Sequence, residues 1–159
     1  MSETVLVADG SLARVGGVER TVVDVAVGIL IDSDGRFLLT SRPQGKVYAG
    51  YWEFPGGKLE SDETVAQALV RELAEELGIT LNPEDVQLWK QQMVDYPHAL
   101  VRLNFCKVSV WQGQLQMREQ QQCAWQTLPV SVRPVLPGTV PVLAWLAQEQ
   151  GFTGSTHPV

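Results

Sequence analysis

One stretch, GYWEFPGGKLESDETVAQALVRELAEELGI at residues 50–79, constrains this chain more than any other. It sets an aromatic strand end and two glycines directly before a helix crowded with acid. Counting about 100° per residue from Val65, the residues Leu69, Leu73, Ala66, Leu77 and Val70 fill a sector of roughly 40° to 140°, an ordinary core stripe. On the same count Glu76, Glu72 and Glu75 fall near roughly 20°, −20° and −80°, along one flank of that stripe. Like charges so spaced repel one another, and a position bordering the core strengthens the repulsion by shielding it from water. The three also lie toward the C-terminal half of the helix, where the macrodipole disfavours anions. Arg71 can pair with only one or two of them. A solvated acidic face is one reading. The other is a divalent cation, Mg²⁺ or Mn²⁺, that neutralises the cluster and bridges it to a phosphate.

The two glycines suit the second reading. Without a Cβ, Gly56 and Gly57 let the backbone approach an ion or ligand closely, and a carbonyl there can supply a further oxygen. A tight strand-to-helix connection would use the same residues.

The rest of the composition narrows the class. With 159 residues, 45% of them apolar and 19% charged, the chain suits one globular domain. A net charge of −6 with no basic run is a poor match for a nucleic acid polymer. Cys106 and Cys123 lack metal-type spacing and are each expected to be small buried hydrophobes. The first residues lack a basic start and a long apolar run, so they read as no signal peptide. The apolar run at 22–31 is interrupted by Asp24 and too short to span a bilayer. These features lead us to expect a cytoplasmic protein without a membrane partner.

Along the chain, residues 1–20 read as a loose extra strand or an arm, 21–150 as the main domain and 151–159 as a tail. A central strand is expected at 22–31, with Asp34-Gly35 turning it into a hairpin with 37–42. A short strand at 51–54 is ended by Pro55. The acidic helix should begin near Thr64, with Ser61, Asp62 and Glu63 providing acid and caps, and Gly78 should stop it. Strand-like stretches follow at 86–94, 100–111 and around 121–128, and a last helix at about 140–150. Strands interleaved with two helices imply an α/β fold with a mixed sheet.

The spacing of the charged residues is itself a signature. Gly57, five residues, Glu63, seven residues, Arg71-Glu72-Leu73, one residue, Glu75-Glu76, one residue and Gly78-Ile79 match the Nudix box at every defined position. The chain therefore resembles Nudix hydrolases, and through AVGIL, GYWEFPGGKLE and LPGTVPVL it is similar to the MutT branch. The likeness covers roughly residues 22–148. It implies a Nudix fold, a mixed sheet sandwiched between helices, and metal-dependent hydrolysis of a nucleoside triphosphate to a monophosphate and pyrophosphate. By this resemblance Glu72, Glu75, Glu76 and the outlying Glu119 hold metal, with backbone from Gly56 or Gly57. Arg71 orients a box glutamate, Glu63 supports it, and Glu75 or Glu76 assists the attacking water. Arg42, Glu53, Phe54, Lys58, Tyr96 and Thr139 are expected to line the substrate site. His98 and His157 are not expected to act, and His98 belongs to the turn at DYPHA.

The substrate is where the resemblance divides. It points first to 8-oxo-dGTP, and so to sanitation of the nucleotide pool. Thr139, however, stands where the MutT pattern has asparagine, and a hydroxyl cannot reproduce an amide's paired geometry. Its plain role would be an N-cap. Cytidine nucleotides or other nucleoside diphosphate derivatives are the alternative, and a non-catalytic nucleotide-binding module is a third reading that the intact box disfavours. The resemblance leads to a small nucleotide as partner and to a monomer or weak homodimer.

Overall fold

Two apolar runs lie side by side at the centre of the computed structural model, which describes residues 4–15 and 20–159. They are β2 (Val22–Leu30) and β7 (Leu100–Val108), paired in parallel from Val22 opposite Leu100 to Leu30 opposite Val108. A parallel pair is stable when both faces are covered, and helices cover both here. Alternate residues of β2 part to opposite sides. Ala26 and Leu30 pack with Leu69, Leu73 and Leu77 of α1 (Val65–Leu77), while Val27 and Ile29 pack with Val142, Leu143 and Leu146 of α2 (Val140–Gln150). Gly28 lies directly under α1, where even a Cβ would come within 3.2 Å of the Leu73 side chain. This is the expected sandwich of a mixed sheet between helices.

The main sheet runs β1 (Val5–Val7), β6 (Gln87–Asp95), β7, β2, β5 (Gly56–Lys58). A smaller sheet runs β4 (Trp52–Glu53), β3 (Phe37–Ser41), β8 (Cys123–Gln126). Residues 5–7 thus form an extra strand, parallel to Met93–Asp95. Residues 1–3 and 16–19 lie outside the described residues, and that part of the expected arm with them. Among the described residues no helix is long and apolar enough to cross a membrane.

Several local expectations change. The Asp34-Gly35 turn forms, with the Asp32 carboxylate accepting from the Asp34 and Arg36 amides at 3.0 and 2.9 Å. The hairpin beyond it stops at a single bridge between Ile31 and Phe37. Further along the same edge β5 pairs with β2 at Val25–Val27, and β3 pairs instead with β4 and β8. β5 had been expected only as a connection.

The cap of α1 is Thr64 rather than the acids before it. Its hydroxyl accepts from the Gln67 amide at 3.1 Å while the Gln67 side chain accepts from the Thr64 amide at 2.9 Å, a reciprocal capping box. Gly78 ends the helix in the left-handed conformation, φ 69°. On the buried face Ala68 joins the leucines, while Ala66 and Val70 are only partly covered. Thr139 is no side-chain cap for α2, since it makes no capping hydrogen bond and is itself part of a 3-10 turn, Pro137–Thr139. Cys106 is buried as expected, and burial pushes its thiol up to about 11, whereas Cys123 is exposed on β8.

Candidate active site

The acid flank of α1 leans on β5, and this contact makes the site. Glu72, only 15% exposed, lies over Gly57 so closely that a Cβ there would sit 2.2 Å from its carboxyl carbon. At Gly56 a Cβ would fall 2.0 Å from the Ala26 carbonyl oxygen, so that position accepts no side chain, while at Gly57 one would have to displace the Glu72 carboxylate. The two glycines are what allow the helix, its carboxylates and the central strand to meet.

Arg71 is the hub on the outer side. It grips Glu63 with two hydrogen bonds of 2.8 and 2.9 Å, donates to Glu72 at 2.9 Å and to the Lys58 carbonyl at 2.9 Å. Glu75 and Glu60 stand at 3.5 and 3.7 Å from it. Bidentate pairing of this kind fixes both partners. The guanidinium hydrogen bonds, aided by the Glu60 amide, hold the Glu63 carboxyl down at about 2, and the surrounding carboxylates raise Arg71 further above its ordinary value.

Glu76 has no such partner. Among the described residues no basic side chain pairs with it. Burial, followed by the charges of Glu119, Glu72 and Glu53, pushes its carboxyl up to about 9. Glu119 reaches the same cavity from the loop after β7, 37% exposed and 3.9 Å from Lys46. Glu53 reaches it from β4, where burial raises its carboxyl and the Arg42 guanidinium, at 3.1 Å, opposes that rise.

The cavity that these groups share is about 650 Å³, within the roughly 300–1,000 Å³ of small-molecule sites. Glu53, Glu72, Glu76 and Glu119 line it with Gly56, Gly57 and Lys58. Arg42, Phe54, Tyr96 and Thr139 line it too, over an apolar floor of Val25, Val27, Leu103 and Phe105. Glu75 is the exception. It is 60% exposed, turned toward Arg71, and does not line the cavity.

Phe54, Arg42 and Tyr96 each have a structural duty as well. Phe54 is buried against Phe37 with ring centroids 5.7 Å apart, and its exposed edge is the floor. Arg42 is committed to the Val47 carbonyl at 2.6 Å and to Glu53. The Tyr96 hydroxyl accepts from the Gly138 amide at 3.0 Å, in a space where a Cβ on Gly138 would come within 2.6 Å. Burial raises the Tyr96 phenol well above its usual range.

The polar lining residues His98, Lys46 and Gln121 are among those that the sequence did not assign to the site. The His98 ring lies tilted against that of Tyr96, centroids 5.2 Å apart, and burial with the nearby Arg42, Arg20 and Lys58 charges lowers its pKa. Its spacing of two from Tyr96, across a hairpin turn, is a signal that would have found it. Lys46 and Gln121 line the cavity from loops whose sequence carries no period.

The donor set is chemically suited to a hard cation. Four carboxylates, Glu53, Glu72, Glu76 and Glu119, face one cavity, and burial first and then their mutual repulsion favour the protonated form of Glu76, a cost that a divalent ion would remove. Among the described residues no three carboxylate, imidazole or thiol groups converge into a finished cage.

Known proteins place this architecture. The NUDIX domain model matches residues 22–146. A CTP pyrophosphohydrolase of Escherichia coli is 38% identical over 118 residues, 74% of this chain and 86% of the relative. An 8-oxo-dGTP diphosphatase of Haemophilus influenzae is 39% identical over 108 residues, 67% of this chain and 77% of the relative. The crystal structure of a MutT NUDIX hydrolase from Burkholderia pseudomallei superposes with a TM-score of 0.66 at 25% identity, covering 82% of this chain and 98% of that one. With sequence, fold and box all in agreement over most of its length, the chain belongs to the Nudix hydrolase family.

Proposed function

We propose that this chain hydrolyses nucleoside triphosphates to a monophosphate and pyrophosphate, with 8-oxo-dGTP as the first substrate to consider. The observation that carries this reading is the cavity itself. Its lining combines a set of carboxylates that has an unneutralised member, Glu76, with apolar side chains and the rings of Tyr96, His98 and Phe54. A base stacked among such rings gains about 1–3 kcal/mol, while the phosphates lie toward the carboxylates.

Glu72, Glu76 and Glu119 would hold Mg²⁺ or Mn²⁺, with backbone from Gly56 or Gly57. The ion supplies Lewis-acid charge neutralisation at the phosphates and lowers the pKa of water. Glu76 must give up its proton for this, and as a carboxylate inside the cavity it is then placed to accept a proton from the attacking water. Arg71 holds Glu72 in position and Glu63 holds Arg71. Lys58 lines the same cavity, where its ammonium favours phosphate. Glu75 would join the ligand set only by turning away from Arg71. We place this activity in the cytoplasm, in a monomer or weak homodimer.

Thr139 favours a second reading, the same chemistry on CTP or dCTP. It is 3% exposed in the cavity lining and offers one hydroxyl where paired donor and acceptor would read a modified guanine. The deciding experiment compares kcat/KM with Mg²⁺ for 8-oxo-dGTP, dGTP, CTP, dCTP and 5-methyl-dCTP. A hundredfold preference for 8-oxo-dGTP, about 2.7 kcal/mol, supports the first reading. A cytidine preference replaces it with the second. No metal-stimulated release of pyrophosphate from any of them refutes both.

A further inference from the structure

The last turn of a helix leaves carbonyls without partners inside the helix. In α1 these are met by one loop. The Gln116 amide donates to the Leu77 carbonyl at 2.8 Å, and the Arg118 amide to the Glu76 carbonyl at 3.1 Å. The Arg118 guanidinium donates to the Ala74 carbonyl at 3.0 Å. Gln121, 7% exposed and lining the cavity, then does two things with one amide. Its Nε2 donates to the Glu76 carbonyl at 3.2 Å, and its Oε1 accepts from the Glu119 backbone amide at 2.9 Å.

We propose that Gln121 is the positioning residue for the Glu119 carboxylate, bridging the backbone of Glu119 to that of Glu76 so that the loop acid is presented to the helix acids at a set distance. The inference rests on the reading of Glu119 as a metal ligand given above. Its physical basis is that the bridge is not needed to satisfy the helix. The Glu76 carbonyl already receives the Arg118 amide, so what Gln121 adds is the link to Glu119. The Glu119 side chain has little else to hold it, since its nearest cation is Lys46 at 3.9 Å. Between Glu119 and Gln121, Gln120 sits at φ 61°, a left-handed conformation that a non-glycine residue adopts only when neighbours impose it. The amide is specific to the task, because it carries a donor and an acceptor at one tip. Glutamate keeps the acceptor for Glu119 and loses the donor to Glu76. Methionine keeps the length and loses both.

The test is a double-mutant cycle on the full chain with Gln121→Met, Glu119→Gln and the pair together. Four quantities are read: melting temperature, Mn²⁺ affinity by electron paramagnetic resonance, exchange of the Glu119 amide in metal-free protein, and kcat and KM for 8-oxo-dGTP and CTP. Gln121→Met should expose the Glu119 amide to exchange, and should weaken Mn²⁺ binding and lower kcat by about ten- to a hundredfold, as loss of groups that orient metal ligands does. In the Glu119→Gln background the same change should cost less than about twofold, because the two act as a unit. Effects that multiply in full, or a Gln121→Met protein as active and as tight for Mn²⁺ as wild type beside an impaired Glu119→Gln, overturn the inference. A Glu119→Gln protein indistinguishable from wild type instead removes Glu119 from the site, and the role of Gln121 with it. If Gln121→Met loses cooperative melting, Gln121→Glu carries the cycle, and it should lose Mn²⁺ affinity in the same direction.

Discussion

Replacing Glu76 with glutamine in the metal-free protein tests whether these carboxylates are held together at a cost. In the folded chain the Glu76 carboxyl titrates at about 9 against an ordinary 4.5. Below 4.5 both folded and unfolded chains carry it neutral, so its favourable contribution is fully present there. As pH rises the unfolded chain ionises and the folded chain does not, so stability is lost progressively until the folded group titrates. From 4.5 to pH 7 this spans about 2.5 pH units, worth about 3 kcal/mol at roughly 1.4 kcal/mol per unit. At this chain length that is a melting shift on the order of 10 °C. Glutamine has the same shape as the protonated acid and does not titrate. Wild type in a chelator should therefore melt progressively lower between pH 5 and 9, while Glu76→Gln stays nearly flat and overtakes it. The two should coincide near pH 5. Mg²⁺ should reverse the order at pH 8, stabilising wild type and leaving the variant unmoved, while turnover by the variant falls by at least about a hundredfold, the loss expected when a carboxylate serving as both ligand and base is removed. Parallel pH profiles for the two proteins would refute the claim that Glu76 is buried among like charges.

Other perturbations probe separate contacts. Glu63 has its folded pKa depressed to about 2, so its contribution is present above the ordinary 4.5 and is lost as pH falls toward 2. Glu63→Gln should thus flatten the acid limb of a stability profile below pH 4.5 and leave the limb above pH 6 unchanged. Gly57→Ala places a methyl group 2.2 Å from the Glu72 carboxyl carbon; Mn²⁺ binding by calorimetry should weaken by about tenfold or more as that ligand is displaced. Tyr96→Phe removes the acceptor of the Gly138 amide, and urea unfolding should record a loss of about 1–3 kcal/mol for the buried donor left unpaired. Thr139→Asn adds an amide to the cavity lining, and kcat/KM for 8-oxo-dGTP relative to CTP should rise by about tenfold or more, the scale of one buried hydrogen-bonded contact.

What the sequence made legible is what is local. α2 begins and ends at the residues expected, and α1 stops at Gly78 because a left-handed C-terminus is a property of one residue. The central strands 22–31 and 100–111 stood out because covered parallel strands are apolar on both faces. Pairing is not local. The Asp34-Gly35 turn was read correctly and the hairpin still did not extend, since β3 pairs with β4 and β8, while β5, which is Gly-Gly-Lys and carries no strand propensity, pairs with β2. The same strand explains the error on α1. Periodicity centred the buried face between Leu69 and Val70, but β5 covers the helix on the acid side, so Ala68 is buried in place of Ala66.

The site divides along the same line. The Nudix box is a spacing along one helix and its approach, so the Arg71–Glu63 grip was foreseeable from sequence, whereas the seat of Glu72 over Gly57 was not. Nor was it foreseeable which carboxylates face inward, because helix position alone leaves the three on one flank. Packing makes the distinction. Glu72 is trapped by β5 and Glu76 by the loop that closes the helix end, while Glu75, one residue from Glu76, turns out to Arg71. The carboxylates that meet those two in the cavity, Glu53 and Glu119, come from 19 residues before Glu72 and 43 after Glu76 in the chain. Burial raises the Glu76 carboxyl most, and the charges of Glu119, Glu72 and Glu53 add to it in that order, so both the helix spacing and the distant acids contribute. A helix with this box but without the glycine strand and the Gln121 loop would be an exposed acidic helix, and its glutamates would titrate as ordinary acids. The difference between a solvated acidic face and carboxylates gathered in one cavity therefore lies in the two elements that cover the flank.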